Sequence, residues 1–249
     1  MSAAATTRRW LGVLVLTCVG LGAAELPKTA EAPRYETRAV HDRDGIGKFY
    51  LGREIAQVMG HQAAGWLERP TRQEEERTDL LLTALDLKPG MVVADVGAGS
   101  GYFSWRMAQK VAPNGKIFAN DIQPEMLELL MAQMKRRKVD QLVVPVLGTV
   151  QDPKLPENST DLILLVDVYH ELDFPYEMTQ AMIRGLKPGG QLVLVEYRGE
   201  DPEVPIKKLH KMTAVQVKKE MAVHPLTFDR AIETLPQQHI FIFRKNAAK

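Results

Sequence analysis

Three glycines follow an acid at every second position near the middle of this 249-residue chain: Asp95, Gly97, Gly99 and Gly101. A mostly apolar run over residues 91–94 precedes the acid, and a helix-like segment follows from Tyr102. This order predicts a buried strand, a tight turn and a helix start. Glycine adopts positive φ and lets a ligand approach the backbone because it has no Cβ atom, and a helix N-terminus offers free N–H groups. The stretch therefore predicts a ligand-binding turn.

The spacing of the glycines separates two classes of cofactor. A dinucleotide-binding turn has the pattern G-x-G-x-x-G, which would place the third glycine at position 102. That position holds Tyr102, and the third glycine is Gly101. The pattern D-x-G-x-G-x-G resembles motif I of the class I methyltransferases, a resemblance that implies contacts from the acid and the three glycines to S-adenosyl-L-methionine. A plain strand–helix packing turn is the alternative interpretation.

A second acid stands 20 residues after Gly101, at the carboxyl end of a strand predicted over residues 116–120. An acid at that distance, here Asp121, is suited to hold the two hydroxyls of a ribose through two hydrogen bonds. The run that follows is similar to the family's second motif, which implies that Ile122 lies against the adenine. Capping of the helix that begins near Pro124 is an alternative role for Asp121, and the two roles can coexist.

Two further strand ends complete the cofactor site that the resemblance implies. Thr149 and Val150 follow the third predicted strand and stand where relatives contact the adenine. Many relatives carry an acid in place of Thr149, so Asp152 or backbone groups are alternatives for this contact. Asp167 follows a fourth strand, which is continuously apolar as a strand covered on both faces must be. We expect Asp167 to contact the methionine amino group or to order water.

The side chains expected to act on the acceptor follow the fourth and fifth strands. Methyl transfer from a sulfonium is an in-line displacement, and its barrier falls mainly through alignment of nucleophile, methyl group and sulfur. A base is needed only where the acceptor arrives protonated. His170 is the first candidate because imidazole titrates near neutrality; a role in shaping the pocket wall is its alternative. Glu171, Glu196 and Tyr197 are the reserve candidates.

The acceptor itself is constrained only by exclusion. N-methylating relatives carry a [DNS]-P-P-[YF] signature after the fourth strand. Here Val168 and Tyr169 replace its two prolines, which disfavours adenine, cytosine-N4 and glutamine-amide acceptors. A net charge of +1 gives no general attraction to nucleic acid or anionic membranes. We therefore expect a small-molecule or lipid-like acceptor, covered by residues 41–66 and 199–220. The alternative functions are a non-catalytic S-adenosylmethionine-binding module and a nicotinamide-dependent oxidoreductase, against which Tyr102 argues. The oligomeric state stays open.

The order of elements predicts an α/β fold. The resemblance, over about residues 80–244, implies a doubly wound, seven-stranded, mostly parallel sheet of the Rossmann-like methyltransferase type, with strand order 3-2-1-4-5-7-6, strand 7 antiparallel and helices on the N-terminal side. Pro145 within the third strand indicates a sheet edge. A Leu-Lys-Pro-Gly-Gly turn over residues 186–190 is a hallmark of the same superfamily. Alternating segments over residues 226–234 and 239–244 supply the two final strands.

The N-terminal segment resembles an export signal. Arg8 and Arg9 precede a short apolar stretch, and small residues follow near position 24, so residues 1–24 are expected to be a signal peptide. An uncleaved anchor is the alternative. We expect a periplasmic or cell-envelope protein without a stable membrane span after signal removal, or a cytoplasmic protein if the segment is not functional. S-adenosylmethionine is made in the cytosol, so export would require the folded protein to carry it out, or the compartment to supply it.

The rest of the chain divides into a linker, a lid and one domain. Residues 25–48 are polar and are expected to form a linker. Residues 49–88 are expected to form a helical lid that begins near Phe49, with Ile55, Val58 and Met59 at helical spacing. A second helix is expected from Thr71, with a capping box at Thr71 and Glu74, to about Leu85. Residues 89–246 are expected to form the cofactor-binding domain. The single cysteine, Cys18, excludes a cysteine-based zinc cluster or nucleophile in that domain, and no metal site is expected.

Overall fold

The computed structural model, which describes Met1 and residues 34–247, contains a seven-stranded sheet. Its strands are β4 Val92–Val96, β5 Lys116–Asp121, β6 Val143–Leu147, β7 Thr160–Val166, β8 Leu186–Tyr197, β9 Leu226–Ile232 and β10 Gln238–Lys245. A smaller three-stranded sheet precedes them, with β1 Tyr35–Thr37, β2 Gly45–Tyr50 and β3 Arg53–Ala56. The signal-like segment expected over residues 1–24 lies outside the described residues, apart from Met1.

The large sheet has the strand order β6-β5-β4-β7-β8-β10-β9. The first five strands in this order, from β6 to β8, pair in parallel. Strand β10 runs antiparallel to both β8 and β9. The expected order 3-2-1-4-5-7-6 and the Rossmann-like α/β fold are therefore confirmed. Pro145 lies in β6, the edge strand of the sheet, where the missing N–H of proline costs no hydrogen bond to a neighbouring strand.

Helices cover both faces of the sheet. They are α1 Ala64–Leu67, α2 Arg72–Glu76, α3 Thr78–Ala84, α4 Tyr102–Val111, α5 Pro124–Arg137, α6 Pro175–Gly185 and α7 Ala214–Met221. Side chains alternate between the two faces along a strand. In β4, Val93 packs into a core with α3, α4 and α5, and Ala94 packs into a second core with α6 and α7. The two cores fix the carboxyl ends of the parallel strands, where the site lies.

The segment before α1 differs from its prediction. A helix was expected from about Phe49, but β2 and β3 form an antiparallel hairpin there, so that prediction is wrong. Leu51 and Gly52 form the turn with φ of 47° and 91°, and a two-residue turn with positive φ matches the twist of paired strands. The linker prediction is likewise wrong for residues 35–37 and 45–48, which are strands; residues 25–33 lie outside the described chain.

The lid region is α-helical only from Ala64 onward. Where one helix was expected from Thr71 to about Leu85, α2 ends at Glu76 and α3 begins at Thr78. Arg77, between them, has φ of 50°, a left-handed conformation that interrupts a helix. The Thr71 side chain makes no capping hydrogen bond, so the expected capping box does not form.

Candidate functional site

A cavity of about 570 Å³ opens at the carboxyl ends of β4, β5 and β7. In an open α/β sheet, this edge is where ligands bind. Gly97, Gly99 and Asp121 line one end of the cavity, and His170 and His210 line the other. Most of the remaining lining is apolar: Val58, Met59, Trp66, Leu67, Val96, Ile122, Met126, Val150, Val166, Val168, Leu172, Met178, Pro205 and Ile206. The cavity therefore joins the glycine turn to a histidine pair across an apolar wall.

Two of the three motif glycines form this wall. Gly97 and Gly99 have φ of 70° and 54°, a region that side chains disfavour. A Cβ atom on Gly97 would lie 2.6 Å from Val168 Cγ1, and one on Gly99 would lie 2.5 Å from Leu67 Cδ1. Because Val168 and Leu67 also line the cavity, any larger residue at either glycine would fill space at its edge.

Asp121 is fixed at the tip of β5 by two backbone donors. Gly99 N–H donates to Oδ2 at 3.0 Å, and Gln123 N–H donates to Oδ1 at 2.9 Å. Burial raises the pKa of the Asp121 carboxyl above its usual value. Gln123 is the N-cap residue of α5, and its side chain makes no capping hydrogen bond. The prediction that Asp121 caps this helix is therefore wrong; Asp121 instead joins the glycine turn to the residue before α5.

His170 lies at the opposite end of the cavity and is held by a buried carboxylate. Its Nδ1 is 2.6 Å from Glu196 Oε2, and Tyr169 N–H donates to Glu196 Oε1 at 2.9 Å. A carboxylate oxygen accepts, so Nδ1 carries a hydrogen, and in the neutral imidazole the lone pair is then on Nε2. Nε2 is 3.1 Å from His210 Nδ1. Glu196 is fully buried and does not itself line the cavity.

Comparison with known proteins identifies the family. A family model described as a methyltransferase domain matches residues 87–241. The chain belongs to this family. This chain is 30% identical over 115 residues to the protein-L-isoaspartate O-methyltransferase of Methanopyrus kandleri. The match covers 46% of this chain and 48% of the M. kandleri protein. Over 134 residues this chain is 25% identical to the ubiquinone/menaquinone biosynthesis C-methyltransferase UbiE of Shewanella oneidensis, covering 54% and 53%.

A solved structure shares the fold. The SAM-dependent methyltransferase from Aquifex aeolicus matches with a TM-score of 0.71 and 22% identity, over 76% of this chain and 100% of that chain. The chain spans about half the length of the two curated relatives above. Family and fold together assign S-adenosylmethionine as the cofactor of the methyltransferase. The nicotinamide-dependent alternative has no support in this family.

The described residues fit that cofactor. Asp167 Oδ2 accepts a hydrogen bond from Gln238 Nε2 at 2.8 Å, while its buried Oδ1 has no partner among the described residues. Burial raises the pKa of Asp167 well above its usual value. An unpartnered buried oxygen is suited to an ammonium donor, as the methionine end of the cofactor provides. Gly97 and Gly99 leave the space, and Asp121 presents acceptors for ribose hydroxyls.

Not every expected cofactor residue reaches the cavity. Ile122 and Val150 line it, whereas Thr149 does not. Asp152 N–H donates to Thr149 Oγ1 at 3.1 Å, and Thr149 N–H donates to the Asp152 carbonyl at 2.9 Å. Thr149 and Asp152 thus close a loop on each other, and neither side chain faces the site.

Two members of the glycine motif also lie away from the cavity wall. A Cβ atom on Gly101 would meet the Met134 and Leu130 side chains, so this glycine permits close packing of α4 against α5. Asp95 is buried beneath the turn and accepts a hydrogen bond from Ser104 Oγ at 2.6 Å. Asp95 therefore ties the end of β4 to the first turn of α4.

Residues without a sequence signal also shape the cavity. Gln123 accepts from His61 N–H at 2.8 Å and donates to the Met59 carbonyl at 2.9 Å, which fixes the segment before α1 over the site. Tyr197, by contrast, is one of the reserve candidates for the base, and its hydroxyl donates to Glu76 Oε1 at 3.0 Å. Burial raises the pKa of Tyr197 further above its usual value, so its hydroxyl acts as a donor and not as a base.

Replacing Gly99 with valine is expected to weaken S-adenosylmethionine binding by about an order of magnitude or more. A side chain at φ of 54° is strained, and its Cβ would lie 2.5 Å from Leu67 Cδ1 in the cavity wall, so Leu67 must shift. Gly189→Val is the matched control, because Gly189 has φ of 74° and no described atom within 4 Å of an added Cβ. Calorimetry should show unchanged affinity for Gly189→Val; an equal loss in both variants would assign the effect to backbone strain alone.

Asp95 predicts a pH dependence of stability. Burial raises its pKa from 3.8 to about 6, so the folded state binds a proton that the unfolded state releases. The protonated Asp95 carboxyl stabilises the fold relative to the ionised one. This stabilisation is complete below about pH 4, decreases as the pH rises and is lost above about pH 6. The unfolding free energy of Asp95→Asn relative to wild type should therefore rise by up to about 3 kcal/mol from pH 3 to pH 7. Urea unfolding across this range tests it, and a flat difference, as expected for the exposed control Asp140→Asn, would contradict it.

Proposed function

We propose that the methyltransferase transfers the methyl group of S-adenosylmethionine to a small, largely apolar acceptor, either a small molecule or a lipid-like compound. The apolar wall between Asp121 and His170 carries this proposal. A small-molecule site is mostly apolar with a few polar groups that fix orientation. Here those groups are the carboxylates at the cofactor end and the two histidines at the other end.

The residues of the cavity have separable tasks. S-adenosylmethionine, when bound, supplies an electrophilic methyl group. Asp121 and the glycine turn fix the nucleoside, and Asp167 offers an acceptor for the amino group. Val168, Leu172 and Met178 exclude water from the space toward His170, and shedding water from a nucleophile favours displacement. His170, oriented by Glu196, is the group that we propose activates the acceptor.

The relatives support methyl transfer but do not define the acceptor. One is named for O-methylation of isoaspartate and another for C-methylation in quinone biosynthesis. Since one fold hosts many acceptors, we base the acceptor class on the lining of this cavity.

Isotope labelling tests the proposal. Cell-envelope extract is incubated with purified protein and S-adenosylmethionine carrying a deuterated methyl group, and both the small-molecule and lipid fractions are analysed by mass spectrometry. We expect one species heavier by the labelled methyl group, absent when the protein is omitted. Label confined to protein or nucleic acid would contradict an apolar small acceptor, and cofactor binding without any labelled product would favour the non-catalytic alternative.

We also propose that the protein is exported through residues 1–24. The supporting observation is the pattern of Arg8 and Arg9 before a short apolar stretch. Among residues 34–247, no helix is both long and apolar enough to span a bilayer. Fractionation with N-terminal sequencing tests export: an envelope protein that starts near residue 25 is expected, and an intact cytoplasmic chain would contradict it.

A further inference from the structure

Three possible metal ligands meet at the acceptor end of the cavity: His170 and Glu171 from the turn after β7, and His210 from a turn before α7. His170 Nε2 lies 3.1 Å from His210 Nδ1 and 3.9 Å from Glu171 Oε1. His210 Nδ1 lies 3.3 Å from the same Glu171 oxygen. Each residue thus presents one ligand atom to the same small space.

The size of this space matches a divalent cation. The circle through the three ligand atoms has a radius of about 2.0 Å, and Zn²⁺ binds His nitrogen and Glu oxygen at about 2.0–2.2 Å. Two histidines and one carboxylate are also a common protein ligand set for catalytic zinc, in which a further position stays open. All three residues line the cavity, so an open position would face the acceptor.

The surroundings of His170 resemble those of a metal ligand. Metal-binding histidines usually donate their other ring nitrogen to a carboxylate, which fixes the tautomer and ring orientation. Glu196 accepts from His170 Nδ1 at 2.6 Å, and its second oxygen accepts from Tyr169 N–H. This support leaves His170 Nε2 as the lone-pair atom that faces His210 and Glu171.

The charges nearby also favour a cation. Arg53 donates to the His170 carbonyl at 3.0 Å, but its guanidinium pairs with Glu220 at 2.7 Å. Lys207 pairs with Asp44 at 2.7 Å. These two positive side chains are thus matched by their own carboxylates, while Glu171 and Glu196 both face the histidine pair.

We propose that His170, His210 and Glu171 bind one divalent cation of the Zn²⁺ class, with an open position toward the cavity for an acceptor oxygen. This role rests on the proposed function. A cation lowers the pKa of a bound hydroxyl, so the acceptor hydroxyl releases its proton to water. The oxygen then bonds to the methyl carbon, and the electron pair of the broken carbon–sulfur bond stays on sulfur. His170 acts as a ligand in this scheme, and the cation replaces a protein base.

Direct metal binding tests this proposal without any acceptor. Full-length protein without a histidine tag is stripped with chelator, dialysed against Zn²⁺ and measured by elemental mass spectrometry; Co²⁺ absorption reports the ligand geometry. We expect one equivalent of Zn²⁺ in the wild type. His210→Ala should lose stoichiometric binding, and Glu196→Gln should weaken it about 10- to 100-fold. His61→Ala is the matched control, because His61 faces a single carboxylate, Glu125, at 3.9 Å, and it should keep one equivalent.

The results separate this proposal from the methyltransferase function. Absence of stoichiometric Zn²⁺ in the wild type, or equal binding by His210→Ala, would overturn the metal site. Calorimetry with S-adenosylmethionine on the same samples tests the cofactor site independently. Cofactor binding without metal would leave the proposed function standing with His170 as a base, whereas metal binding without cofactor binding would count against the function.

Discussion

Asp121→Ala is expected to lower the affinity of the methyltransferase for S-adenosylmethionine by about 10- to 100-fold. Hydrogen bonds to a charged group contribute about 1.5–3 kcal/mol, and each 1.4 kcal/mol is about tenfold in affinity. The variant removes the acceptors proposed for the ribose hydroxyls. It also removes the partners of the Gly99 and Gln123 N–H groups, which loosens the glycine turn. Isothermal calorimetry of the purified variant measures this loss directly.

Two controls make the Asp121 result specific. Asp140→Ala removes an exposed carboxylate away from the cavity and should bind the cofactor as wild type does. Asp121→Asn keeps an oxygen acceptor and should lose less affinity than the alanine variant. An Asp121→Ala protein that stays folded, as judged by circular dichroism, and binds the cofactor with unchanged affinity would contradict the assigned ribose contact.

The parallel strands of the fold could be predicted from the sequence because short segments with strong patterns mark them. The apolar run of β7 and the Pro-Gly-Gly turn before β8 each have few alternative structures. The N-terminal hairpin was not predicted because Ile55, Val58 and Met59 have the spacing of a helix face, although only Ile55 lies in β3. The hairpin depends on the left-handed backbone conformation of Leu51. A positive φ is rare for leucine and cannot be predicted from the residue type.

The cofactor end of the site followed from spacing only in part, since Asp95, Gly101 and Thr149 do not line the cavity. Asp121 lies at the cavity because a strand tip fixes its position, independent of loop details. Thr149 lies in a loop, and its hydroxyl accepts a hydrogen bond from the Asp152 N–H, so its direction depends on local turn chemistry. Gln123 carries no motif, and only the folded structure shows that it holds the backbone of residues 59 and 61.

The acceptor end required the structure. The sequence predicts no metal site, because its single cysteine excludes the usual cysteine clusters and its histidines follow no ligand spacing. His210 lies 40 residues after His170, in a segment expected to cover the acceptor. The fold alone brings the two imidazoles together, with Glu171 beside them.

His170→Asn is expected to reduce turnover by about 100-fold or more while leaving S-adenosylmethionine affinity close to that of the wild type. The asparagine amide can donate to Glu196 from near the position of Nδ1, so the buried carboxylate keeps a partner, whereas Nε2 is lost. Because Nε2 is the atom that faces the cavity, acceptor activation fails whether it acts as a base or as a cation ligand. Single-turnover methylation of the species found by isotope labelling measures the effect. His224→Asn, at a buried histidine that contacts Gln180 away from the cavity, is the matched control and should keep its rate. Equal losses of turnover and cofactor affinity in His170→Asn would instead assign His170 to the pocket wall.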